Sequence, residues 1–234
     1  MSLQADWWKS SDRFTVASVA TADDIEALLS TPLAANLVEL RLDILLEASI
    51  PVSSTLDALA HLPLLLTARC PSEGGKANLS ENQRLDLLLQ HLSKAAAVDI
   101  EVRNLPAFSE VVTAAQLAKV PVIGSFHDFE KTPDLSCYQD VLRKATEGNA
   151  DIFKGAARLH SVDDLKTLVA LFPGAALPVA AMGMGALGPA SRLILAQHGS
   201  LLNYGYVTGT PTAPGQWPAS LLKEAIALSP RITP

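Results

Sequence analysis

The chain has 234 residues with a formal net charge of −6 at pH 7, and 49% of the residues are hydrophobic. This length suits one α/β domain, and the composition is that of a folded globular protein with a large core. A net negative charge without a cluster of Lys or Arg disfavours a protein that binds nucleic acid electrostatically.

The N-terminal segment MSLQADWWKSSDRF lacks the basic and then apolar pattern of a secretory signal. No stretch approaches about eighteen apolar residues, so no membrane-spanning helix is predicted. Cys70 and Cys137 have no partners at metal-ligand spacing, and we interpret both as free thiols. Two thiols suit a reducing compartment, so we expect a cytoplasmic protein.

Short aliphatic or β-branched runs recur along the chain, with helical stretches between them. Most runs are almost continuously apolar, which is typical of parallel strands buried on both faces. Their starts lie 23–35 residues apart, which fits a strand, a crossover helix and two loops. We therefore predict a single (β/α)8 barrel, the TIM barrel, as one catalytic domain over residues 1–234. The runs cover residues 14–19, 37–43, 62–69, 97–103, 120–129, 150–157, 177–184 and 201–207.

The segments between the runs carry helix start and stop signals. Ser80 followed by Gln83, and Ser161 followed by Asp164, predict capping boxes, in which side chains satisfy free amide donors of the first turn. In the segment that follows the seventh run, a proline is suited to open a helix and a glycine to end it. These two residues are Pro189 and Gly199.

Polar residues interrupt the runs near their carboxyl ends, where a βα-barrel has its active site. Glu39, Arg41 and Asp43 alternate along the second run, so we predict that all three lie on one face of that strand. A charge inside a buried strand is costly unless it is paired. This pattern therefore indicates either a functional site or a structural ion network. Polar residues near the ends of other runs are Arg69, Asp99, Glu101, Ser125, His127 and Lys154.

A structural role is the better interpretation for several of these residues. A Glu39–Arg41 pair suits a satisfied ion network inside the barrel as well as it suits a binding site. For Asp99 and Glu101, a structural role is a better interpretation than a catalytic one. Four histidines lie on or near helical stretches or just past the sixth strand, and we assign them no catalytic role: His61, His91, His160 and His198.

Lys154, in the run ADIFKGAA, is the only charged residue between Asp151 and Arg158. If its side chain points into the barrel, burial and neighbouring cations favour the neutral amine. A neutral amine is the nucleophile that forms a Schiff base with a ketone or an aldehyde. The alternative is a lysine that extends to solvent at the end of a strand.

A nucleophilic lysine also needs a proton shuttle. His127 lies near the end of the fifth run, and an imidazole can accept and return a proton near neutral pH. Glu73 lies in the glycine-rich loop CPSEGGK after the third run, where a carboxylate can orient that imidazole. Together, the three residues indicate acid–base chemistry on an imine.

Six motifs in the chain together resemble type I 3-dehydroquinate dehydratase. The pieces E-x-R-x-D, H-D-F-x-x-T-P and A-P-G-Q are specific in this order, and the similarity extends from the first strand to the last loop. The motifs are VELRLD (38–43), LTARCPSEGG (66–75), GSFHDFEKTP (124–133), ADIFKGAA (150–157), MGMGALGPASR (182–192) and TAPGQ (212–216).

The resemblance implies a cytoplasmic hydro-lyase that dehydrates 3-dehydroquinate to 3-dehydroshikimate. This reaction is the third step of the shikimate pathway, which leads to chorismate and the aromatic amino acids. It implies that Lys154 forms an imine with the C3 ketone and that His127 removes the C2 proton and protonates the departing C1 hydroxyl. Glu73 is expected to pair with His127. No metal or organic cofactor is implied, and the expected assembly is a homodimer.

The resemblance also implies a set of residues that bind the substrate. Arg192 and Gln216 are expected to hold its carboxylate, because a planar guanidinium can donate two parallel hydrogen bonds. A lid is expected over residues 208–217, with a rigid turn as the alternative. The ring hydroxyls are expected to contact Glu39, Arg41 and Arg69, and the pocket lining is expected to include Ser18, Met184 and Thr212.

The chain departs from the commonest pattern of this family at two places. Thr212 stands where many members have serine, and its hydroxyl can make the same contact. The loop GALGP (185–189) replaces a polar pair found in several relatives, which removes one expected lid contact. Neither change affects Lys154, His127 or Arg192.

Two other functions remain open from the sequence. An aldolase or transaldolase on the same fold also needs a barrel lysine, and Gly205 and Gly209 offer glycines for a phosphate site near the last strands. Against this, Arg192 and Gln216 suit a carboxylate. A barrel used only for binding is the second alternative, but it would be expected to lack part of the catalytic set.

Overall fold

A computed structural model describes residues 6–32, 34–209 and 211–232. These residues form eight parallel strands, one for each run predicted from the sequence. The strands are β1 (Phe14–Val19), β2 (Leu37–Arg41), β3 (Leu64–Thr67), β4 (Ala97–Glu101), β5 (Val122–Asp128), β6 (Ile152–Arg158), β7 (Val179–Met184) and β8 (Leu202–Tyr206).

The second strand is shorter than the sequence predicts. β2 ends at Arg41, and helix α2 (Leu42–Glu47) begins at the next residue. The prediction that Asp43 lies on the strand with Glu39 and Arg41 is therefore wrong. Asp43 lies in the first turn of α2, where a carboxylate interacts favourably with the helix dipole.

The strands form a nearly closed barrel. The order of pairing runs from β7 through β6, β5, β4, β3 and β2 to β1, and β1 pairs with β8. Between β7 and β8, the amide of Leu201 donates to the carbonyl of Val179 at 2.9 Å. The buried Ser200 hydroxyl accepts from the amide of Ala181 at 3.1 Å. The (β/α)8 prediction is confirmed.

The helices that connect the strands begin at the predicted caps. Ser80 and Gln83 form a reciprocal capping box at the helix that begins at Glu81, and Ser161 and Asp164 form another at the helix that begins at Val162, so both predictions are confirmed. Besides α2, the helices are α1 (Ala22–Ser30), α3 (Val52–Ala58), α4 (Glu81–His91), α5 (Ser109–Ala118), α6 (Leu135–Glu147), α7 (Val162–Val169), α8 (Gly188–Gln197) and α9 (Ala219–Leu228). Short 3₁₀ turns cover Trp7–Lys9, Pro71–Glu73, Leu92–Lys94 and Val102–Asn104.

The amino-terminal half of the barrel interior is apolar. Val16, Leu65 and Ile123 are fully buried there, and Trp7 and Trp8 belong to the same cluster. The aliphatic outward faces of the strands pack against the helices in a second, larger cluster. Both faces of the sheet are thus buried, which explains why the runs read as continuously apolar.

The interior becomes polar toward the carboxyl ends of the strands. Each even-numbered strand places one side chain at a single level of the barrel. Three of the odd-numbered strands, β1, β3 and β5, contribute hydroxyl groups that donate hydrogen bonds to carboxylates of this level. Such alternation of strands between layers is a feature of TIM barrels. The even-strand residues are Glu39, Asp99, Lys154 and Tyr204, and the hydroxyl residues are Ser18, Thr67 and Ser125.

Candidate active site

A cavity of about 340 Å³ opens at the carboxyl ends of the strands. Ser18 is absent from its lining, because it is fully buried behind Glu39, to which its hydroxyl donates at 2.7 Å. All the other residues predicted for the site line this cavity: Glu39, Arg41, Arg69, Glu73, His127, Lys154, Met184, Arg192, Thr212 and Gln216.

Lys154 points into the barrel rather than out to solvent, and only 4% of the residue is exposed. Its Nζ lies 2.9 Å from Oδ2 of Asp99 and 3.8 Å from Oε1 of Glu39. It also lies 4.2 Å from the centre of the Tyr204 ring. Neighbouring cations were predicted around this nitrogen, but its direct partners are two carboxylates.

Asp99 joins Lys154 to Arg69. Nη2 of Arg69 lies 2.9 Å from Oδ1 of Asp99, and the Ser125 hydroxyl donates to the same oxygen at 2.5 Å. Burial alone would raise the pKa of Asp99, but Arg69 and Lys154 outweigh it and hold this pKa well below its usual range. The interpretation of Asp99 as structural thus misses its direct contact with the candidate nucleophile.

Glu39 is held in place by two hydroxyl groups. Ser18 donates to its Oε2, and Thr67 donates to its Oε1 at 3.0 Å. The carboxylate is 4% exposed and lines the cavity. It is therefore fixed in one orientation and can accept a hydrogen bond from a bound hydroxyl.

His127 and Glu73 form the hydrogen-bonded pair that the resemblance implies. Oε2 of Glu73 lies 3.0 Å from Nδ1 of His127 and also accepts from the backbone amide of His127 at 3.0 Å. Burial, reinforced by Arg69 and Lys154, holds the pKa of His127 well below its usual range. The imidazole is therefore neutral at pH 7. When its Nδ1 donates to Glu73, its Nε2 is free to accept a proton.

The pKa of Glu73 moves in the opposite direction. Burial raises it to about 7, although Arg69 and Arg103 oppose this effect. Near neutral pH, this carboxyl group therefore exists in both ionisation states.

Arg192 is a buried cation without an acidic partner. Only 2% of the residue is exposed, and across residues 6–32, 34–209 and 211–232 no carboxylate lies within 4.0 Å of its guanidinium. Nη1 donates to the carbonyl of Tyr204 at 2.9 Å, and Nε donates to that of Gly215 at 3.1 Å. Burial lowers its pKa to about 10. A buried and unneutralised guanidinium at a cavity wall is able to bind an anion.

The loop after β8 covers one side of the cavity. Within residues 208–217, Thr210 lies outside the described residues. Oε1 of Gln216 accepts from the amide and the hydroxyl of Thr212 at 2.7 and 3.0 Å, and from the amide of Ala213 at 3.2 Å. This arrangement fixes the amide of Gln216 with its NH2 group as the remaining donor. Thr212 thus orients Gln216.

Close packing of glycines joins this loop to the start of α8. Gly215 has a φ of 81°, and a Cβ at this position would lie 2.7 Å from the carbonyl oxygen of Gly185 and 3.0 Å from Cα of Gly188. The backbone of the loop GALGP therefore packs directly against Gly215. Since Gly215 also accepts from Arg192, this contact places the loop beside the candidate anion site.

Arg41 is positioned by Asp43, which was not among the predicted site residues. Nε and Nη2 of Arg41 donate to the two carboxylate oxygens of Asp43 at 2.9 and 2.8 Å. Asp43 also accepts from the backbone amides of Arg69 and Lys76. It thus fixes both Arg41 and the loop after β3. The E-x-R-x-D spacing indicated that Arg41 and Asp43 belong together, although the prediction that Asp43 lies on the strand was wrong.

Tyr204 and Lys76 also line the cavity but were not predicted. The hydroxyl of Tyr204 is buried and has no hydrogen-bond partner among the described residues. Burial raises its pKa well above its usual range, so the phenol remains neutral. The alternation of strands could have revealed Tyr204, because it occupies the β8 position of the level that holds Lys154.

Comparison with known protein families matches residues 15–232 to type I 3-dehydroquinase. The chain belongs to the type I 3-dehydroquinase family. The resemblance inferred from the motifs is thereby confirmed. A relative described as 3-dehydroquinate dehydratase from Methanothrix thermoacetophila is 33% identical over 192 residues, which cover 82% of this chain and 81% of that protein. The corresponding protein of Methanocella arvoryzae is 31% identical and covers 91% of this chain and 95% of its own length.

Solved structures of 3-dehydroquinate dehydratases are similar to this barrel. The 3-dehydroquinate dehydratase of Geobacillus kaustophilus matches it with a TM-score of 0.82 at 25% identity, over 93% of this chain and 91% of that one. The 3-dehydroquinate dehydratase of Enterococcus faecalis matches with a TM-score of 0.78 at 28% identity, over 95% and 96% of the two chains.

In the part of the chain that the structure describes, no helix is both long and apolar enough to cross a membrane. Within the same residues, no group of three or more His, Cys, Asp or Glu side chains is arranged to hold a metal ion.

Proposed function

We propose that this protein is a 3-dehydroquinate dehydratase, a hydro-lyase of the shikimate pathway that converts 3-dehydroquinate to 3-dehydroshikimate. One observation carries the proposal: a buried lysine, a carboxylate-bound histidine and an unneutralised arginine line the same cavity. These are the groups needed to attack a ketone, move a proton and hold a carboxylate. Membership of the family supports the same substrate.

The first chemical step is condensation of Lys154 with the C3 ketone of the substrate. Lys154 first passes one proton from its ammonium to His127, and the neutral amine then attacks the carbonyl carbon to give a carbinolamine. His127 returns the proton to the departing hydroxyl, so that water leaves and a protonated imine remains. The position of Lys154 in the cavity wall supports this role, because its nitrogen faces the space in which a ketone would bind. The iminium withdraws electrons and acidifies the proton at C2.

The second step is elimination, with His127 as general acid and base. Its neutral imidazole takes the C2 proton, which leaves an enamine on Lys154, and then protonates the C1 hydroxyl as it departs. The depressed pKa of His127 supports the first half, because the ring must be unprotonated to act as a base. The bond to Glu73 stabilises the imidazolium between the two transfers.

Binding of the substrate carboxylate is assigned to Arg192 and the NH2 group of Gln216. Arg192 lacks an acidic partner among the described residues, so a bound carboxylate would supply its missing counter-charge. Glu39, Arg41 and Arg69 line the same cavity and are assigned to the ring hydroxyls. We assign Ser18 an indirect role, through the orientation of Glu39. The homodimer and the cytoplasmic location remain predictions.

The aldolase alternative depends on a phosphate site at Gly205 or Gly209. A Cβ on Gly205 would lie 2.6 Å from Cα of Ala219 and 2.7 Å from the carbonyl oxygen of Trp217. Packing against the start of α9 therefore accounts for this glycine without a phosphate. The structure gives no comparable argument for Gly209, where a Cβ would meet nothing within 4 Å.

A turnover assay separates the two functions. The purified protein is mixed with 3-dehydroquinate, and the absorbance of the conjugated enone product is followed with time. We expect the absorbance to rise with the wild type and to remain flat with Lys154→Ala. Fructose bisphosphate, assayed in parallel for cleavage, is expected to give no product. Cleavage of fructose bisphosphate without enone formation would replace the proposal with the aldolase alternative.

A further inference from the structure

The closest charged group to the Lys154 nitrogen is Asp99. Its Oδ2 lies 2.9 Å from Nζ, and its side chain is fully buried. Glu39 is the second carboxylate at this nitrogen, but it lies 3.8 Å away, and its oxygens already accept from Ser18 and Thr67. Asp99 is therefore the principal counter-charge of the nucleophile.

The surroundings of Asp99 keep it ionised. Its Oδ1 accepts from Ser125 and pairs with Arg69 at 2.9 Å. Arg69 is fixed in turn by Glu101 at 3.1 Å. The low pKa of Asp99 is consistent with this geometry. A proton that leaves Lys154 during catalysis is therefore not expected to remain on Asp99.

Other charged or titratable groups surround the same nitrogen. Tyr204 from β8 presents its ring and stays neutral, and His127 from β5 is neutral at pH 7. The cations Arg69 and Arg41 lie at the ends of β3 and β2, where Asp99 and Asp43 neutralise them. Asp99 is thus the carboxylate shared by Arg69 and Lys154.

We propose that Asp99 is a further catalytic residue, a counter-ion that keeps the nitrogen of Lys154 positively charged at the iminium stage. The proposal rests on the imine chemistry of the proposed function. The conservation of charge during the condensation supports this proposal. An ammonium and a ketone give an iminium and one water, so the nitrogen carries a charge of +1 before and after the reaction. A fixed carboxylate therefore stabilises both states without moving.

A fixed counter-ion has a measurable consequence. An unprotonated imine is a poor electron sink, so turnover falls when pH rises above the pKa of the iminium. A carboxylate in direct contact moves such an equilibrium toward the charged form by about one to three pH units. Without Asp99, the alkaline decline of kcat is expected to begin about one to three pH units lower than in the wild type.

The test compares Asp99→Asn with Glu101→Gln. Glu101 is a matched control, because it is buried and pairs with Arg69 and Arg84 in the same network but does not contact Lys154. The pH profile of kcat is measured for each protein, together with the yield of the cyanoborohydride-reduced adduct on Lys154. In Asp99→Asn, we expect the alkaline limb of the kcat profile, and the pH at which the adduct yield falls, to move to lower pH. In Glu101→Gln, we expect both to stay in place.

A second variant covers the case in which Asp99→Asn does not fold. Asp99→Ser leaves space at the same position, and added formate is expected to restore the alkaline limb, whereas chloride at equal ionic strength is not. An unchanged limb in Asp99→Asn, an equal shift in Glu101→Gln, or no effect of formate on Asp99→Ser would overturn the counter-ion role. Absence of any wild-type adduct would instead overturn the proposed function.

Discussion

Replacement of Arg192 by methionine tests the carboxylate site, because it should weaken catalysis far more than it weakens the fold. The guanidinium is 2% exposed and has no carboxylate within 4.0 Å among the described residues. Methionine has a similar length and no charge. We therefore expect a large loss in kcat/KM with a nearly unchanged free energy of unfolding.

The structure sets the size of both the change in the free energy of unfolding and the loss in kcat/KM. Burial lowers the pKa of Arg192 from 12.5 to about 10, which corresponds to about 3 kcal/mol for keeping the charge buried. Removing the charge recovers this energy but leaves the carbonyls of Tyr204 and Gly215 without donors, at about 1–3 kcal/mol each. At about 1.5 kcal/mol for each carbonyl, the two terms nearly cancel. Losing charge-assisted bonds to the substrate costs about 1.5–3 kcal/mol, or about 10- to 150-fold in kcat/KM.

The control is Arg84→Met, since Arg84 is equally buried but pairs with Glu101 at 2.7 Å and does not line the cavity. Breaking this pair is expected to reduce the free energy of unfolding by about 3–5 kcal/mol. Enone absorbance gives kcat/KM, and urea unfolding gives stability. If Arg192→Met retained kcat/KM within about twofold, or lost as much stability as Arg84→Met, the reasoning about the unpaired cation would be refuted.

Three further predictions concern the reacting groups. Lys154→Ala should abolish turnover yet leave substrate binding measurable by calorimetry, because Arg192 is unchanged; an active variant would exclude the imine. His127→Ala should still form some borohydride-trapped adduct but stall the elimination, and near wild-type turnover would mean that another group is the base. The pKa of Glu73 rises from 4.5 to about 7 on folding, so its ionisation lowers stability progressively between these pH values, by up to about 3 kcal/mol. Glu73→Gln should therefore gain stability relative to the wild type between pH 5 and pH 8 in urea unfolding, and an equal difference at both pH values would contradict this.

The barrel could be predicted because its strands are buried on both faces. Runs such as 14–19 and 201–207 stay apolar for the length of a strand, and helix caps such as Ser80 mark the segments between them. The candidate site was also predictable, because residues at the carboxyl ends of parallel strands converge on one cavity. Lys154, His127 and Arg192 line the same cavity for this reason.

The pairing within the site could not be read from the chain. Asp99 and Lys154 are 55 residues apart, and their contact depends on the strand alternation that places β4 and β6 at one level. Asp43 was misplaced because an alternating pattern cannot show that β2 ends at Arg41 and a helix begins. The isolation of Arg192 from carboxylates is likewise a property of three-dimensional packing.

The proposed reaction depends on the formation of an imine between Lys154 and the substrate. The most direct measurement is the intact mass of the protein after borohydride reduction in the presence of 3-dehydroquinate, followed by peptide mapping. We expect a stable adduct on the peptide that contains Lys154, and no adduct in Lys154→Ala. No adduct on the folded wild-type protein, or one located on another lysine, would contradict this expectation.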